Sequence, residues 1–292
     1  MKPRFTSDYR LLLWMFVLLP AVPIIALFQP SWAPFMIPLG LYLAYCTGVA
    51  SHNHNHCPVF QSNAMNQAYS IWLSIFYGYP TFGWIPTHNQ NHHKFTNGPG
   101  DETRTERYAP HNGLWYATTY PIASIAYQSP AIGNYISQAF RHKPHVFRQI
   151  LFQYVAIVVG HGAYLAVSVE LHGWLFGSIA YVCAMALPAG FAIWSMMFTN
   201  FLQHVDCDPT SRHNHSRNFV GRKTNWLLFN AGYHTVHHEN PGAHWSRLAT
   251  LHAERASDID PHLNPATLFG YCASTYLLGR RGAEGASRRR GR

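Results

Sequence analysis

The chain's oddest entry is its twenty histidines set against twelve acidic residues. Three of them, His88, His92 and His93, fall within six positions in "THNQNHHKFTN". "SHNHNHC" holds His52, His54 and His56, "NFLQHVD" holds Asn200 and His204, and "HTVHHE" holds His234, His237 and His238. A folded chain rarely gathers imidazoles for packing, because each ring brings two nitrogens that need partners. Imidazole is instead a good ligand for zinc, copper, iron and nickel.

Helical spacing sorts these residues. Positions i and i+4 are neighbours on a helix, so His52 and His56 share a face, as do His88 and His92, and His234 with His237 or His238. His54 falls about 200° from His52 at roughly 100° per residue, and is predicted not to be a ligand. An adjacent pair such as His92–His93 points in two directions and can serve two metals. Nine candidate ligands result: His52, His56, His88, His92, His93, His204, His234, His237 and His238. That is too many for one ion and suits two. No H-E-x-x-H appears, which argues against a metalloprotease. No paired Glu-x-x-His pattern appears either, which argues against a soluble ferritin-like di-iron bundle.

The elements that must position these clusters are membrane helices. Charged residues are only 11% of the chain. Lys and Arg are absent from 11–93 and from 149–211, the regions holding the long apolar runs. Despite the formal charge of +9, that distribution points to a membrane and away from nucleic acid. Residues 11–28 and 32–50 read as one hairpin of spans, and 150–168 and 173–199 as a second. The segment 66–86, broken by Gly78, Pro80 and Gly83, reads as an interfacial helix. Two hairpins put all 21 Lys and Arg residues on one side, which the positive-inside rule makes cytoplasmic. Segment 94–146 reads as mostly aqueous-facing, with short helices around 114–128 and 131–142, and 264–279 as a surface-lying helix. The basic tail 280–292 reads as disordered. Residues 1–292 thus form one all-α, multi-pass integral membrane domain. The five cysteines show no framework spacing.

The order H-x3-H, H-x3-H-H, Asn-x3-His, H-x2-H-H resembles the membrane-bound fatty acid desaturase superfamily, the histidine-box di-iron enzymes that also include alkane hydroxylases and carotenoid ketolases. The resemblance covers residues 11–245. It implies four membrane helices under a cytosolic helical cap that carries the histidine-rich site on the cytoplasmic side. It implies two iron ions held by the nine histidines, Asn200 contacting iron through water, and dioxygen as co-substrate. Two features depart from the pattern: the additional His54, and three residues rather than two before His92–His93. The longer spacing occurs among hydroxylases as well as desaturases.

The expected activity is oxygen-dependent desaturation of an acyl chain on a membrane lipid or acyl thioester. A lipid or hydrocarbon hydroxylase or ketolase is the alternative within that chemistry, and an intramembrane zinc hydrolase the alternative outside it. No part of the chain resembles an electron-carrying domain. A separate donor of ferredoxin, rubredoxin or cytochrome b5 type is therefore expected, and the basic cytosolic face suits an acidic one. Asp101, Glu102, Asp206, Asp208 and Glu239 are candidates to accept the second ring proton of a ligating imidazole. Trp245 and the aromatics of 69–84 are candidates to line an acyl tunnel or to form a membrane-interface belt, and Pro188 is expected to kink its span.

Overall fold

The computed structural model describes residues 2–279, so the tail predicted to be disordered lies outside the described residues. The described residues are helical with connecting loops, and an isolated antiparallel bridge pairs Pro3 with Phe60. Two compact units form: Met1–Asn89 with Ser129–Met196, and Gln90–Gln128 with Met197–Arg292.

Three helices are long and apolar enough to cross a bilayer: Asp8–Phe28, Pro30–His56 and Pro144–His204. The last is interrupted at Gly173, where φ is 73° and ψ 170°. That is a left-handed φ that a side chain would strain, so the turn falls on the residue that tolerates it. The chain folds back there: the Ser168 hydroxyl donates to the Gly177 carbonyl at 3.1 Å, and His161 Nδ1 meets the Tyr181 hydroxyl at 3.2 Å. The spans expected from apolar runs alone are therefore extended, because the helices continue past the hydrocarbon-like stretch into the histidine boxes.

Prolines shape these helices. Residues Trp14–Leu18 and Val182–Ala186 wind as π-helical turns, and the N–H groups of Leu19 and Leu187 reach back to the carbonyls of Trp14 and Val182. Pro20 and Pro188 follow directly and bring no N–H to the next carbonyl in line. In the first case the Met15 carbonyl accepts from the Trp72 indole N–H at 2.9 Å. The Tyr164 hydroxyl donates to the Pro23 carbonyl at 2.9 Å, and His172 Nε2 meets the Leu27 carbonyl at 2.7 Å.

The expected interfacial segment 66–86 takes a different shape. A helix runs over Asn63–Tyr77, begun by Ser62, whose hydroxyl accepts from the Met65 N–H, and ended by Gly78 at φ 71°. Tyr69, Leu73, Ser74 and Tyr77 are its buried face. The chain then turns through Thr81–Gly83 into a π-helical segment, Ile85–His92. Gln153 fixes that turn: its side-chain oxygen accepts from the Phe82 N–H at 3.1 Å and from the Ser74 and Thr81 hydroxyls at 3.3 Å each.

The second unit shows a larger difference. Where short helices were expected around 114–128 and 131–142, one helix spans Leu114–His142. Pro121 and Pro130 do not break it.

Candidate metal centre

In the first unit, His52, His56 and His88 converge. His52 and His88 bring their Nε2 atoms to 2.9 Å, and the rings of His56 lie 4.8 Å and 5.1 Å from those of His52 and His88. The i,i+4 pair His52–His56 thus acts from one face of its helix. His54 turns away, its Nε2 at 3.2 Å from the Asn66 carbonyl and its Nδ1 accepting from the Val59 N–H. Trp84 sets its indole edge-on to both His52 and His88, with ring centroids 5.3 Å away in each case. The second box is tied to the helix of the first, because the Asn89 amide donates to the Asn55 carbonyl at 2.9 Å.

In the second unit, His92, His204, His234 and His238 each bring one ring nitrogen into a group whose atoms all lie within 4.8 Å of one another. The Nε2 of His234 is 2.9 Å from that of His204 and 3.1 Å from that of His238. His93 and His237 form another Nε2–Nε2 pair at 3.0 Å. The rings of His93 and His238 are 4.5 Å apart.

These spacings suit a metal. Metal–imidazole bonds run to about 2.0–2.1 Å, so two at right angles put their nitrogens roughly 2.9 Å apart. The second ring nitrogens of His204, His52 and His92 are committed elsewhere, which fixes the tautomers that leave their Nε2 as a lone pair. His204 Nδ1 lies 3.2 Å from the His215 carbonyl, and His52 Nδ1 3.2 Å from the Asn53 side-chain oxygen. His92 Nδ1 donates to Asp101 at 2.7 Å, with the Thr103 hydroxyl at 2.9 Å. Burial, then the neighbouring imidazoles led by His234, push His238 well below the ordinary histidine value. Its ring is held in the neutral form that ligates.

Asp101 is the acid that reaches a candidate ligand. The helix carrying His93 ends in a left-handed pair, Thr96 at φ 43° and Asn97 at φ 60°. The chain turns back there, and Asp101 accepts four bonds: from the Thr103 N–H and hydroxyl on one oxygen, each at 2.7 Å, and from His92 and the Asn97 N–H on the other. Burial alone would raise this carboxyl, but the His92 imidazole and the Thr103 donors outweigh it and hold it well below the usual carboxylate range. Glu102 pairs with Arg107, Asp208 accepts from Thr210, and Glu239 meets His213 and Arg255. Asp206 takes a left-handed turn at φ 59°.

The pairing of His88 with His92 needs correction. The structure does not bring both to one cluster: His88 joins His52 and His56, and His92 joins His204, His234 and His238. The segment Ile85–His92 winds as a π-helix, in which i and i+4 no longer share a face as they do in an α-helix, so the two rings serve different clusters. Of the open pair in the last box, His238 joins His234, while His237 meets His93. Asn200 is buried, and its amide donates to the Tyr120 hydroxyl at 3.3 Å.

Several supporting residues escaped the sequence reading. Tyr120, fully buried, donates to the Thr103 carbonyl at 2.5 Å and so joins Asn200 to the Asp101 turn. Asn97 accepts from the Thr105 N–H at 2.8 Å and donates to the His204 carbonyl at 3.4 Å. Buried Arg217 donates to the Leu202 and Val205 carbonyls, capping the helix that ends at His204. The D-x-T spacing of Asp101 and Thr103 is a local turn signal, but Asp208 and Thr210 share it, so it does not single out this acid. Phe76, a candidate tunnel residue, lines with Pro188 a cavity of about 10 Å³, with room for no more than one water.

Residues 30–269 match the family model described as fatty acid desaturase. The chain is 24% identical over 235 residues to a sphingolipid delta(4)-desaturase of Komagataella phaffii, covering 72% of this chain and 60% of that protein. It is 27% identical over 247 residues to a sphingolipid delta(4)-desaturase of Candida albicans, covering 76% of this chain and 63% of that one. The chain therefore spans less than two thirds of the length of these relatives. No solved structure matches it. With the family match running through all four histidine clusters, the chain belongs to the fatty acid desaturase family.

Proposed function

We propose that this membrane protein is an oxygen-dependent di-iron desaturase that introduces a double bond into the acyl chain of a lipid. The observation that carries this reading is the convergence of His92, His204, His234 and His238 on one point, with the second nitrogens of His92 and His204 committed to other partners. In the proposal the nine histidines hold two irons, and Asn200 makes its contact through water. The long Pro144–His204 helix turns at Gly173, giving four spans, with the site and its helical cap on the cytoplasmic side. Electrons come from a separate carrier of ferredoxin, rubredoxin or cytochrome b5 type.

Iron bound there would supply the dioxygen-dependent oxidising power needed to remove hydrogen from an unactivated methylene. The protein's part is placement. Asp101 and the His215 carbonyl orient two imidazoles, and Trp84 covers the edges of His52 and His88. Burial of His92, His204 and His234 limits the access of water to this group.

Metal analysis and lipid mass spectrometry test this together. Purified protein should carry about two irons, where a zinc hydrolase would hold zinc on three or four histidines. His88→Ala, His93→Ala, His204→Ala and His238→Ala should each lower iron content and abolish turnover, with His54→Ala tolerated. Asn200→Ala should keep iron and impair turnover. Product lipids should lose about two daltons, the mark of desaturation. A gain of about sixteen would favour the hydroxylase reading and one of about fourteen the ketolase reading; the longer spacing before His92–His93 is compatible with hydroxylation as well as desaturation. Iron retained in all four alanine variants would refute the proposed ligands.

A further inference from the structure

The Leu114–His142 helix is built inside out over its first half. Its inward face carries Ala117, Tyr120, Ser124 and Gln128, all at 7% exposure or less. Three of these are polar, and they are occupied within the second unit. Tyr120 donates to the Thr103 carbonyl, and Ser124 and Gln128 both donate to the Met197 sulfur. The outward face carries Leu114 at 49%, Trp115 at 72%, Ile122 at 70% and Ile125 at 50% exposure. A helix flanked by water shows the reverse order, apolar inward and polar outward.

A second element of the same unit continues this apolar face. Asn112, just before the helix, donates to the Tyr271 hydroxyl at 2.8 Å and accepts from the Tyr276 hydroxyl at 2.6 Å. One amide thus pins the start of the long helix to the Leu268–Cys272 and Ala273–Leu277 helical turns. Those turns expose Phe269 at 83%, Leu277 at 78% and, just beyond, Leu278 at 66%.

Composition selects what covers this face. Residues 114–140 contain no Asp, Glu, Lys or Arg, and the stretch closes on exposed Arg141, Lys143 and Arg148. An aromatic start, an uncharged apolar stripe and a basic end describe a helix seated at the boundary of headgroups and acyl chains. The helix is not among the three apolar enough to cross, so it lies on the bilayer and does not span it. We propose that this face is a lipid-docking surface, with Leu114, Trp115, Ile122, Ile125 and Phe269 among the acyl chains. It would hold the unit carrying the His92–His238 group against the membrane independently of the spans. The inference rests on exposure and composition, and it stands whether or not the chain desaturates lipid.

The test uses the full chain in phosphatidylcholine nanodiscs carrying a diazirine on the acyl chain, with photo-adducts mapped by mass spectrometry. Adducts on peptides covering 114–126 and 268–278 are expected within about threefold of the yield on the Asp8–Phe28 span, whose labelling serves as the internal standard. Yields no higher than on the polar loop 205–213 would overturn the proposal. So would protection of these peptides together with cross-links between them in two copies of the chain, since the face would then be a dimer contact.

Discussion

Asp101 accepts the Nδ1 proton of His92 at 2.7 Å while three further donors fill its remaining acceptor positions. Asp101→Asn would turn an amide N–H toward at least one of these donors. Metal affinity should fall about 10–100-fold, the usual scale for losing such a partner. Competition with a chelator of known affinity reads this directly, and unchanged affinity would show that the carboxylate matters only to the loop.

Gln153 should be a stability hub of the first unit. Gln153→Leu keeps the volume and removes the acceptor of the Phe82 N–H and of two hydroxyls. A buried donor left without its acceptor costs about 1–3 kcal/mol. A lower thermal midpoint in detergent is expected, together with weaker metal retention, because the same turn leads into the segment that carries His88.

The hairpin turn offers a steric test. A Cβ on Gly177 would sit 2.6 Å from the Ser168 carbonyl oxygen and from the Val169 backbone, atoms that cannot rotate away. Gly177→Val should cost about 1–3 kcal/mol or prevent folding. Gly133→Ala, whose Cβ would meet nothing within 4 Å, is the matched control. It should be neutral or slightly stabilising, as expected for alanine in a helix. Equal midpoints for the two variants would contradict the close approach.

Acid should weaken the fold through His252. Burial lowers this histidine below its ordinary value of 6.5, and its ring packs on Tyr233 with centroids 5.0 Å apart. The unfolded chain therefore binds the proton more readily than the folded one. The stabilisation is complete above the unfolded value and is lost as pH falls through 6.5 toward the folded value. His252→Phe keeps the aromatic packing and should flatten this part of the profile of thermal midpoint against pH. A slope identical to the parent's would remove His252 from the account.

The clustering of the histidines was legible because it is a matter of residue type and short spacing. His52 and His56 share a cluster as i,i+4 predicts, and His54 points away for the same reason. The hairpin turn at Gly173 was legible as a break between apolar runs. Long-range choices were not. That Asp101 meets an imidazole depends on a left-handed turn at Thr96–Asn97, and neither residue type demands that turn. Helices at 114–128 and 131–142 were legible, but not their union into one Leu114–His142 helix, whose first half carries apolar residues on its outward side. Pro130, between the two, favoured the split.

The carbonyls of Met15, Pro23 and Leu27 each accept from a side chain on another helix, Trp72, Tyr164 and His172 in turn. In hydrocarbon an unsatisfied carbonyl costs several kcal/mol, and no water is at hand to substitute. The three bonds therefore act as addresses as well as fastenings. If the Asp8–Phe28 helix pairs with the wrong neighbour, or with the right one rotated, the Met15 carbonyl, which Pro20 cannot serve, loses its Trp72 partner. Assembly of the bundle is proofread by what the first helix lacks, and Pro20, by withholding a single N–H, writes one line of that instruction.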